Sequence, residues 1–297
     1  MALAAAMLWG STGTTQALLP VPISPLWVGA IRLAIAAAFL LAWFSWRRPG
    51  GREPVAPWPW ALLGASAVCI GVYNLAFFSG VREAGVALGT AVAIGSSPVW
   101  AGVLQALIRR RLPEAGWWVG AGAAIAGVAL LMQADSAASA GSWRGWALCL
   151  GAGLAYALYA LIGQGLAQRV SAETASAVVF SGAALIALAA AFAVDGLLDI
   201  KSSASELAWV LVALAWLGIV GTGIAYLLFN HALARISGPT AVVLALAEPV
   251  TAVLLAIVLL GERPTGVAIA GLALVLAGLV RVVSSELRGR PADPGPE

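Results

Sequence analysis

The chain has 297 residues, of which 62% are hydrophobic and only 10% are charged, and its formal net charge is +3. Soluble domains carry about 25% charged residues, and a fold of this length in water could not bury so much apolar surface. The small and scattered positive charge gives no basis for binding nucleic acid. The composition therefore indicates an integral membrane protein with the lipid bilayer around it.

A transmembrane helix needs about 20 mainly apolar residues, and ten stretches of the chain meet this requirement. In chain order they are 2–19, 25–46, 59–80, 84–107, 114–132, 144–163, 173–194, 207–229, 237–260 and 264–283. The polar segment 284–297, rich in Pro and Gly, is predicted to be a disordered cytoplasmic tail. We therefore predict an all-α polytopic membrane protein with ten transmembrane helices.

The basic residues of the connections predict the orientation of these spans. With the N-terminus in the cytoplasm, eleven arginines lie on the inner side and four basic residues on the outer side. The inner residues are Arg47, Arg48, Arg52, Arg109, Arg110, Arg111, Arg169, Arg235, Arg281, Arg288 and Arg290, and the outer ones are Arg82, Arg144, Lys201 and Arg263. Because cytoplasmic connections carry the excess of Lys and Arg, both termini are predicted to be cytoplasmic.

The two halves of the chain repeat one pattern of prolines and glycines at an offset of 151 residues. The pattern consists of Pro98, Pro113, Gly120 and Gly127 in the first half and of Pro249, Pro264, Gly271 and Gly278 in the second. Each half holds five spans, and because five is odd the second copy crosses the membrane in the opposite direction. The sequence thus predicts two inverted five-helix repeats, residues 2–132 and 144–283, around a central cavity.

Inverted repeats of this kind are typical of secondary transporters, whose substrates bind near the midplane where Gly or Pro interrupts corresponding spans. Pro98 and Pro249 occupy such positions, each near the middle of its span. Both are predicted to act as hinges or helix breaks beside the substrate site. The repeated glycines lie on one helix face and are expected to permit close helix packing.

Four segments resemble the EamA-type branch of the drug/metabolite transporter superfamily. They are "LWGS" (8–11), "GAIRLAIAAAFLLAW" (29–43), "ALAEPV" (245–250) and "LLGERPTGVAIAGLALVLAGL" (259–279). The resemblance extends over about residues 2–283 and implies a bacterial inner-membrane exporter of amino acids, other metabolites or drugs. The chain is also similar, in a general way, to exporters of aromatic amino acids. The two halves of the chain depart from their shared pattern at one turn, where the first copy has "IRRRLP" and the second has "LLGERP".

Glu248 directly precedes Pro249 inside a span, where a charged side chain costs about 2.5–3.5 kcal/mol. In one interpretation its carboxyl carries a proton and couples transport to a gradient. In the other, the carboxyl forms hydrogen bonds with backbone groups that Pro249 leaves unpaired. Ser97 precedes Pro98 at the matching place, and a hydroxyl can serve a proline kink in the same way. This symmetry favours the structural interpretation, and coupling through Glu248 is kept as the alternative.

All four tyrosines of the chain, Tyr73, Tyr156, Tyr159 and Tyr226, fall inside spans. A buried hydroxyl needs a partner, which a polar cavity supplies and the lipid core does not. The tyrosines are therefore candidates for substrate binding, with packing in the core as the alternative. The resemblance to aromatic amino-acid exporters implies that aromatic residues near the positions of Tyr73 and Tyr156 belong to the site.

Three further polar or amphipathic side chains, Trp9, Asn74 and Ser97, are also candidates for the cavity wall. Arg32 lies within the second span and could reach the membrane surface or bind a substrate carboxylate. We interpret Arg32 as structural, because the resemblance implies an arginine at this place in many family members.

Catalytic and cofactor chemistry finds little support in these residues. One histidine excludes a metalloprotease motif, and the spans hold only Glu248 where an aspartyl dyad needs two acids. We expect no enzyme, metal or cofactor.

The function predicted is a secondary transporter that exports small metabolites, in the first place aromatic or neutral amino acids, by alternating access. The alternatives are export of drugs or other metabolites and a non-transporting scaffold. The expected partners are a small-molecule substrate and the bilayer, without nucleic acid, and the prediction is compatible with a monomer.

Overall fold

The computed structural model describes residues 1–17, 19–47, 58–110, 112–133, 142–198, 203–260 and 264–288. These residues form helices and short connections. The helices are α1 (Ala2–Ala17), α2 (Pro25–Arg47), α3 (Trp60–Ala84), α4 (Val86–Arg109), α5 (Ala115–Gln133), α6 (Trp143–Leu166), α7 (Ala172–Asp195), α8 (Ala204–Ala215), α9 (Ala225–Leu233), α10 (Gly238–Leu244), α11 (Ala247–Leu260) and α12 (Gly266–Arg288). A π-helical segment, Trp216–Ile224, joins α8 to α9.

The described helices account for the predicted spans. Nine helical stretches in this part of the chain are long and apolar enough to cross a membrane, while the apolar part of α1, Ala2–Thr12, is shorter. The eighth predicted span, 207–229, lies in the continuous run Ala204–Leu233, which contains the π-helical segment. The ninth predicted span, 237–260, comprises α10 and α11 and contains the apolar stretch Gly238–Leu255. The prediction of an all-helical polytopic membrane protein is confirmed.

The end of α12 differs from the prediction. The helix continues to Arg288, so residues 284–288 belong to it and not to the predicted tail. The remainder of that tail, 289–297, lies outside the described residues. The same holds for six basic residues that were counted for the predicted orientation, four inner ones and two outer ones: Arg48, Arg52, Arg111, Arg290, Lys201 and Arg263.

Contacts between the helices of the two halves recur in exchanged pairs. Helices α2 and α7, which correspond in the two halves, pack against each other, and so do α5 and α12. The contact of α3 with α6 has its counterpart in the contact of α1 with α9 and the π-helical segment. The contact of α4 with α6 corresponds to that of α1 with α11. The division into two inverted repeats, residues 2–132 and 144–283, stays a prediction.

The repeated glycines bring α5 and α12 into backbone contact. A Cβ atom built on Gly120 would lie 2.8 Å from the carbonyl oxygen of Gly278, and one on Gly127 would lie 2.7 Å from that of Gly271. An offset of 151 residues converts the first pair into the second. The expectation that these glycines permit close packing is confirmed.

Two irregular segments interrupt the spans of the second half. In the π-helical segment, the Thr222 hydroxyl donates to the carbonyl of Leu217, five residues earlier, at 2.8 Å. The ninth span is interrupted at residues 245–246, between α10 and α11, and Pro249 lies in the first turn of α11. Helix α4 runs through Pro98 without interruption. The helix break expected at both prolines therefore occurs next to Pro249 alone within the described chain.

The C-terminal part of α12 holds the start of α10. Glu286 accepts hydrogen bonds from the Ser237 backbone nitrogen at 3.1 Å and from the hydroxyls of Ser237 at 2.8 Å and Thr240 at 2.6 Å. Gln164 of α6 accepts from the Gly238 nitrogen at 3.1 Å. These bonds satisfy backbone and hydroxyl donors at the first turn of α10, which would otherwise lack partners. They fix the helix that leads to the break beside Glu248.

Candidate functional site

A cavity lies between the two halves and is lined by residues of both. Its volume is about 70 Å³ when only the space open to the centre of a water molecule is counted. The cavity is therefore small but large enough to hold several waters. The lining residues are Trp9, Thr12, Arg32, Tyr73, Phe77, Phe78, Ile94, Ser97, Tyr156, Tyr226, Val242, Ala245 and Glu248.

The structure brings most of the predicted site residues to this cavity. The residues that line it directly are Trp9, Tyr73, Ser97, Tyr156, Tyr226 and Glu248. Asn74 is buried behind them and contacts the cavity residue Arg32. The two prolines, Pro98 and Pro249, are buried next to Ser97 and Glu248. Tyr159 is the exception, because it lines a separate, smaller pocket with Asn230.

The Tyr159 hydroxyl is satisfied within the protein. It donates to Oδ1 of Asn230 at 2.7 Å, and Nδ2 of Asn230 donates to the Ser176 hydroxyl at 2.8 Å. This buried chain of bonds joins α6, α9 and α7. Because its polar group is already paired inside the core, Tyr159 is suited to holding these helices together and not to binding a solute.

An aromatic cluster forms one wall of the cavity. The ring centroids of Trp9 and Tyr226 are 4.9 Å apart, and those of Tyr73 and Tyr156 are 5.5 Å apart. Trp9 also lies 5.5 Å from Phe229, a residue that the sequence analysis did not single out. Phe229 lies three residues after Tyr226 and therefore on the same helix face, and this spacing could have identified Phe229 from the sequence. Aromatic pairs contribute about 0.5–1.5 kcal/mol each beyond area burial, so the wall is held by its own contacts.

Several buried polar atoms of this region lack a partner in the described part of the chain. They are Nε1 of Trp9, Oη of Tyr156, Nε of Arg32 and Nδ2 of Asn74. Buried polar groups are normally paired, and leaving one unpaired costs about 1–3 kcal/mol. All four belong to side chains that line the cavity or contact one that does. A polar solute in the cavity could satisfy them.

Glu248 presents its carboxyl to the cavity at the start of α11. Within the described residues the carboxyl forms no hydrogen bond with the protein. Backbone groups at the break are bonded locally, from Leu246 N to Val243 O at 3.0 Å and from Glu248 N to Ala245 O at 2.9 Å. The structural interpretation of this residue therefore finds no support in the geometry. The Ser97 hydroxyl donates to the Ala93 carbonyl at 2.8 Å and not to the Ile94 carbonyl, which is the group that Pro98 leaves without its helical donor.

Arg32 extends from α2 into the same cavity. Its Nη2 donates to Oδ1 of Asn74 at 3.2 Å, and its guanidinium lies 5.5 Å from the centroid of the Phe78 ring. Gly29, one turn earlier, permits this approach, because a Cβ there would lie 2.7 Å from Nδ2 of Asn74. Both contacts orient the guanidinium, but neither supplies a negative charge.

Side chains that commonly bind metals are not clustered in the described part of the chain. No group of three or more His, Cys, Asp or Glu side chains is arranged there to hold an ion. The cavity instead combines one carboxyl, one guanidinium, hydroxyl groups and aromatic rings. Such a set can bind a small polar organic molecule through charge and hydrogen bonds.

Comparison with known proteins identifies the family. Residues 1–133 and 143–284 match the EamA-like transporter family. The chain is 34% identical to the uncharacterized transporter YwfM of Bacillus subtilis, over 98% of this chain and 95% of that protein. It is 30% identical to the threonine/homoserine exporter RhtA of Escherichia coli K12, over 92% of this chain and 86% of that protein.

A solved structure titled "Crystal structure of protein" has the same fold. It superposes with a TM-score of 0.79 at 21% identity and covers 97% of this chain and 96% of its own. The family matches extend through both halves of the chain, and the relatives are named as transporters and not as enzymes. The chain belongs to the EamA-like transporter family and is a multi-pass membrane transporter of a bacterial family.

Proposed function

We propose that this chain is a secondary transporter that exports small neutral amino acids by alternating access. The observation that carries the proposal is the cavity between the two halves, where the unbonded carboxyl of Glu248 faces aromatic rings and hydroxyl groups. A buried carboxylate without a partner favours a solute with a cationic group, and the ammonium of an amino acid is such a group. The 30% identity to an exporter of threonine and homoserine supports the same class.

The dimensions of the cavity favour small amino acids over aromatic ones. A cavity of about 70 Å³, measured as the space open to the centre of a water molecule, suits a compact solute such as alanine or threonine. A tryptophan or phenylalanine side chain would need the space now filled by the rings of Trp9, Tyr73 and Tyr156. Export of aromatic amino acids, drugs or other metabolites therefore stands as the second candidate, and it requires this wall to move.

Alternating access would use the irregular segments of the second half. The break at residues 245–246 directly precedes Glu248, and the π-helical segment packs against α2, where a Cβ on Gly218 would lie 3.1 Å from the Arg32 carbonyl oxygen. Irregular backbone of this kind commonly marks substrate sites and moving parts of transporters.

We propose an inner-membrane location with both termini in the cytoplasm, on the basis of the eleven inner and four outer basic residues.

Uptake into proteoliposomes tests this function. The purified protein would be given labelled alanine, serine, threonine, valine, phenylalanine and tryptophan, with and without an imposed pH gradient. We expect flux of the small neutral amino acids above that of empty liposomes, and much weaker flux of the aromatic ones. Preferred flux of phenylalanine or tryptophan would support the second candidate. Correctly inserted protein that moves no amino acid would overturn the proposal and direct the search to drugs, other metabolites or a scaffold role.

A further inference from the structure

Arg32 is a positive charge inside the membrane-spanning region without a neutralising contact. Asn74 and Phe78 hold its guanidinium through one hydrogen bond and one ring contact, and its Nε is buried without a partner. In the described part of the chain it forms no ion pair. Buried charges are normally paired, because taking an unpaired ion out of water costs several kcal/mol. The arrangement thus holds a cation ready for an anionic partner.

Glu248 is the complementary charge of the same cavity. It comes from α11 in the second half, whereas Arg32 comes from α2 in the first, and both side chains line the cavity wall. The two side chains share one small cavity, although in the described chain they do not touch as an ion pair. Each therefore serves as a distant counter-charge for the other, which lowers the cost of keeping both inside the membrane.

We propose that Arg32 and Glu248 bind the two charged groups of an α-amino acid at once. The substrate carboxylate accepts hydrogen bonds from the Arg32 guanidinium, and the substrate ammonium donates to the Glu248 carboxylate. This inference rests on the proposed function and adds to it the residues that recognise the amino-acid backbone. A zwitterion placed between two separated opposite charges satisfies both without bringing net charge into the bilayer.

The assignment gives Arg32 a specificity role in place of the structural role that the sequence suggested. The planar guanidinium suits a carboxylate because it can donate two parallel hydrogen bonds, which a lysine ammonium does not reproduce. The Asn74 carbonyl oxygen, which accepts from Nη2, and the Phe78 ring, 5.5 Å from the guanidinium, act as positioning groups. Recognition of the backbone by charge also leaves the aromatic wall free to discriminate between side chains.

Two analogues of threonine test the assignment separately. L-Threoninol has a hydroxymethyl group in place of the carboxylate, and N-acetyl-L-threonine lacks the ammonium. Each analogue would compete with labelled L-threonine for the wild-type protein and for the Arg32→Gln and Arg32→Lys variants. If alanine is transported faster than threonine, alaninol and N-acetylalanine are used in place of the two threonine analogues. Thermal stabilisation of the detergent-solubilised protein by the same compounds gives a second readout that does not require transport.

Wild-type protein is expected to bind threonine at least about tenfold more tightly than either analogue, as the loss of a charge-assisted bond implies. In Arg32→Gln, the affinity for threonine should fall by about tenfold or more, while the affinity for threoninol should change little. The preference for threonine over threoninol then disappears, and the preference for threonine over N-acetylthreonine remains. Arg32→Lys should retain part of the first preference.

The outcomes separate this inference from the proposed function. The assignment of Arg32 alone is overturned if the wild-type protein moves amino acids and Arg32→Gln keeps the full preference for threonine over threoninol. Wild-type protein that moves no amino acid overturns the proposed function and this inference together. Loss of the preference for the free ammonium in Arg32→Gln would also contradict the separate roles assigned here. Folding of each variant is checked by its elution as a single species in size-exclusion chromatography.

Discussion

Glu248→Gln is expected to lower the transport of small neutral amino acids by about tenfold or more. Glutamine keeps the size of the side chain but removes the charge that faces the cavity. A hydrogen bond to a charged group contributes about 1.5–3 kcal/mol, and about 1.4 kcal/mol corresponds to a tenfold change in affinity. The measurement is the initial rate of labelled threonine or alanine uptake into proteoliposomes over a range of concentrations.

Glu206→Gln is the matched control for this variant. Glu206 lies at the start of α8, outside the cavity, and forms a capping box with Ser203. Glutamine can fill the same capping position, so this substitution removes one charge and leaves the helix cap in place. Wild-type rates in Glu206→Gln together with reduced rates in Glu248→Gln would assign the effect to the cavity. Unchanged transport and an unchanged response to a pH gradient in Glu248→Gln would remove this residue from both binding and coupling.

Gly120→Val is expected to destabilise the protein strongly, because α5 and α12 touch through their backbones. A Cβ at Gly120 would lie 2.8 Å from the Gly278 carbonyl oxygen and 2.9 Å from the Val282 nitrogen, and a backbone cannot move aside as a flexible side chain can. Overpacking typically costs about 1–3 kcal/mol, which corresponds to a fall of about 5 °C in the melting temperature of a chain of this length. Thermal unfolding in detergent, followed by size-exclusion chromatography, measures the change.

Gly122→Val on the same helix isolates the packing effect. Gly122 is only two residues from Gly120, and a Cβ there would meet no atom within 4 Å. Both substitutions change helix propensity in the same way, so their difference reports the contact with α12. Equal melting temperatures for the two variants would contradict the close packing of α5 on α12.

Local patterns in the sequence were sufficient for the features that depend on one helix at a time. The length of the apolar runs predicts the spans, and the seven-residue spacing of Gly120 and Gly127 predicts the face that packs closely. The polar and aromatic residues placed inside apolar runs point to the cavity, because membrane interiors exclude such side chains unless they have a use. For this reason Trp9 and Tyr156 could be selected without any knowledge of the packing.

Features that depend on contacts between distant segments could not be predicted in this way. Tyr156 and Tyr159 share a helix face, and only the position of Asn230 on α9 shows that the second is paired inside the core. Glu286 lies in a stretch whose composition suggested a disordered tail, yet its carboxylate holds the first turn of α10. Arg32 carries no sequence signal that separates a structural cation from a binding group, since that distinction depends on what surrounds it.

Counterflow in proteoliposomes tests the central claim most directly, namely that one cavity carries a small amino acid across the membrane by alternating access. Liposomes loaded with unlabelled threonine would be diluted into a trace of labelled threonine outside, with no pH gradient imposed. We predict a transient accumulation of label above the level in unloaded liposomes, and its loss in Glu248→Gln, because a carrier exchanges solutes through one site. Label that only equilibrates, at the same rate in loaded and unloaded liposomes, would contradict a carrier mechanism at this cavity.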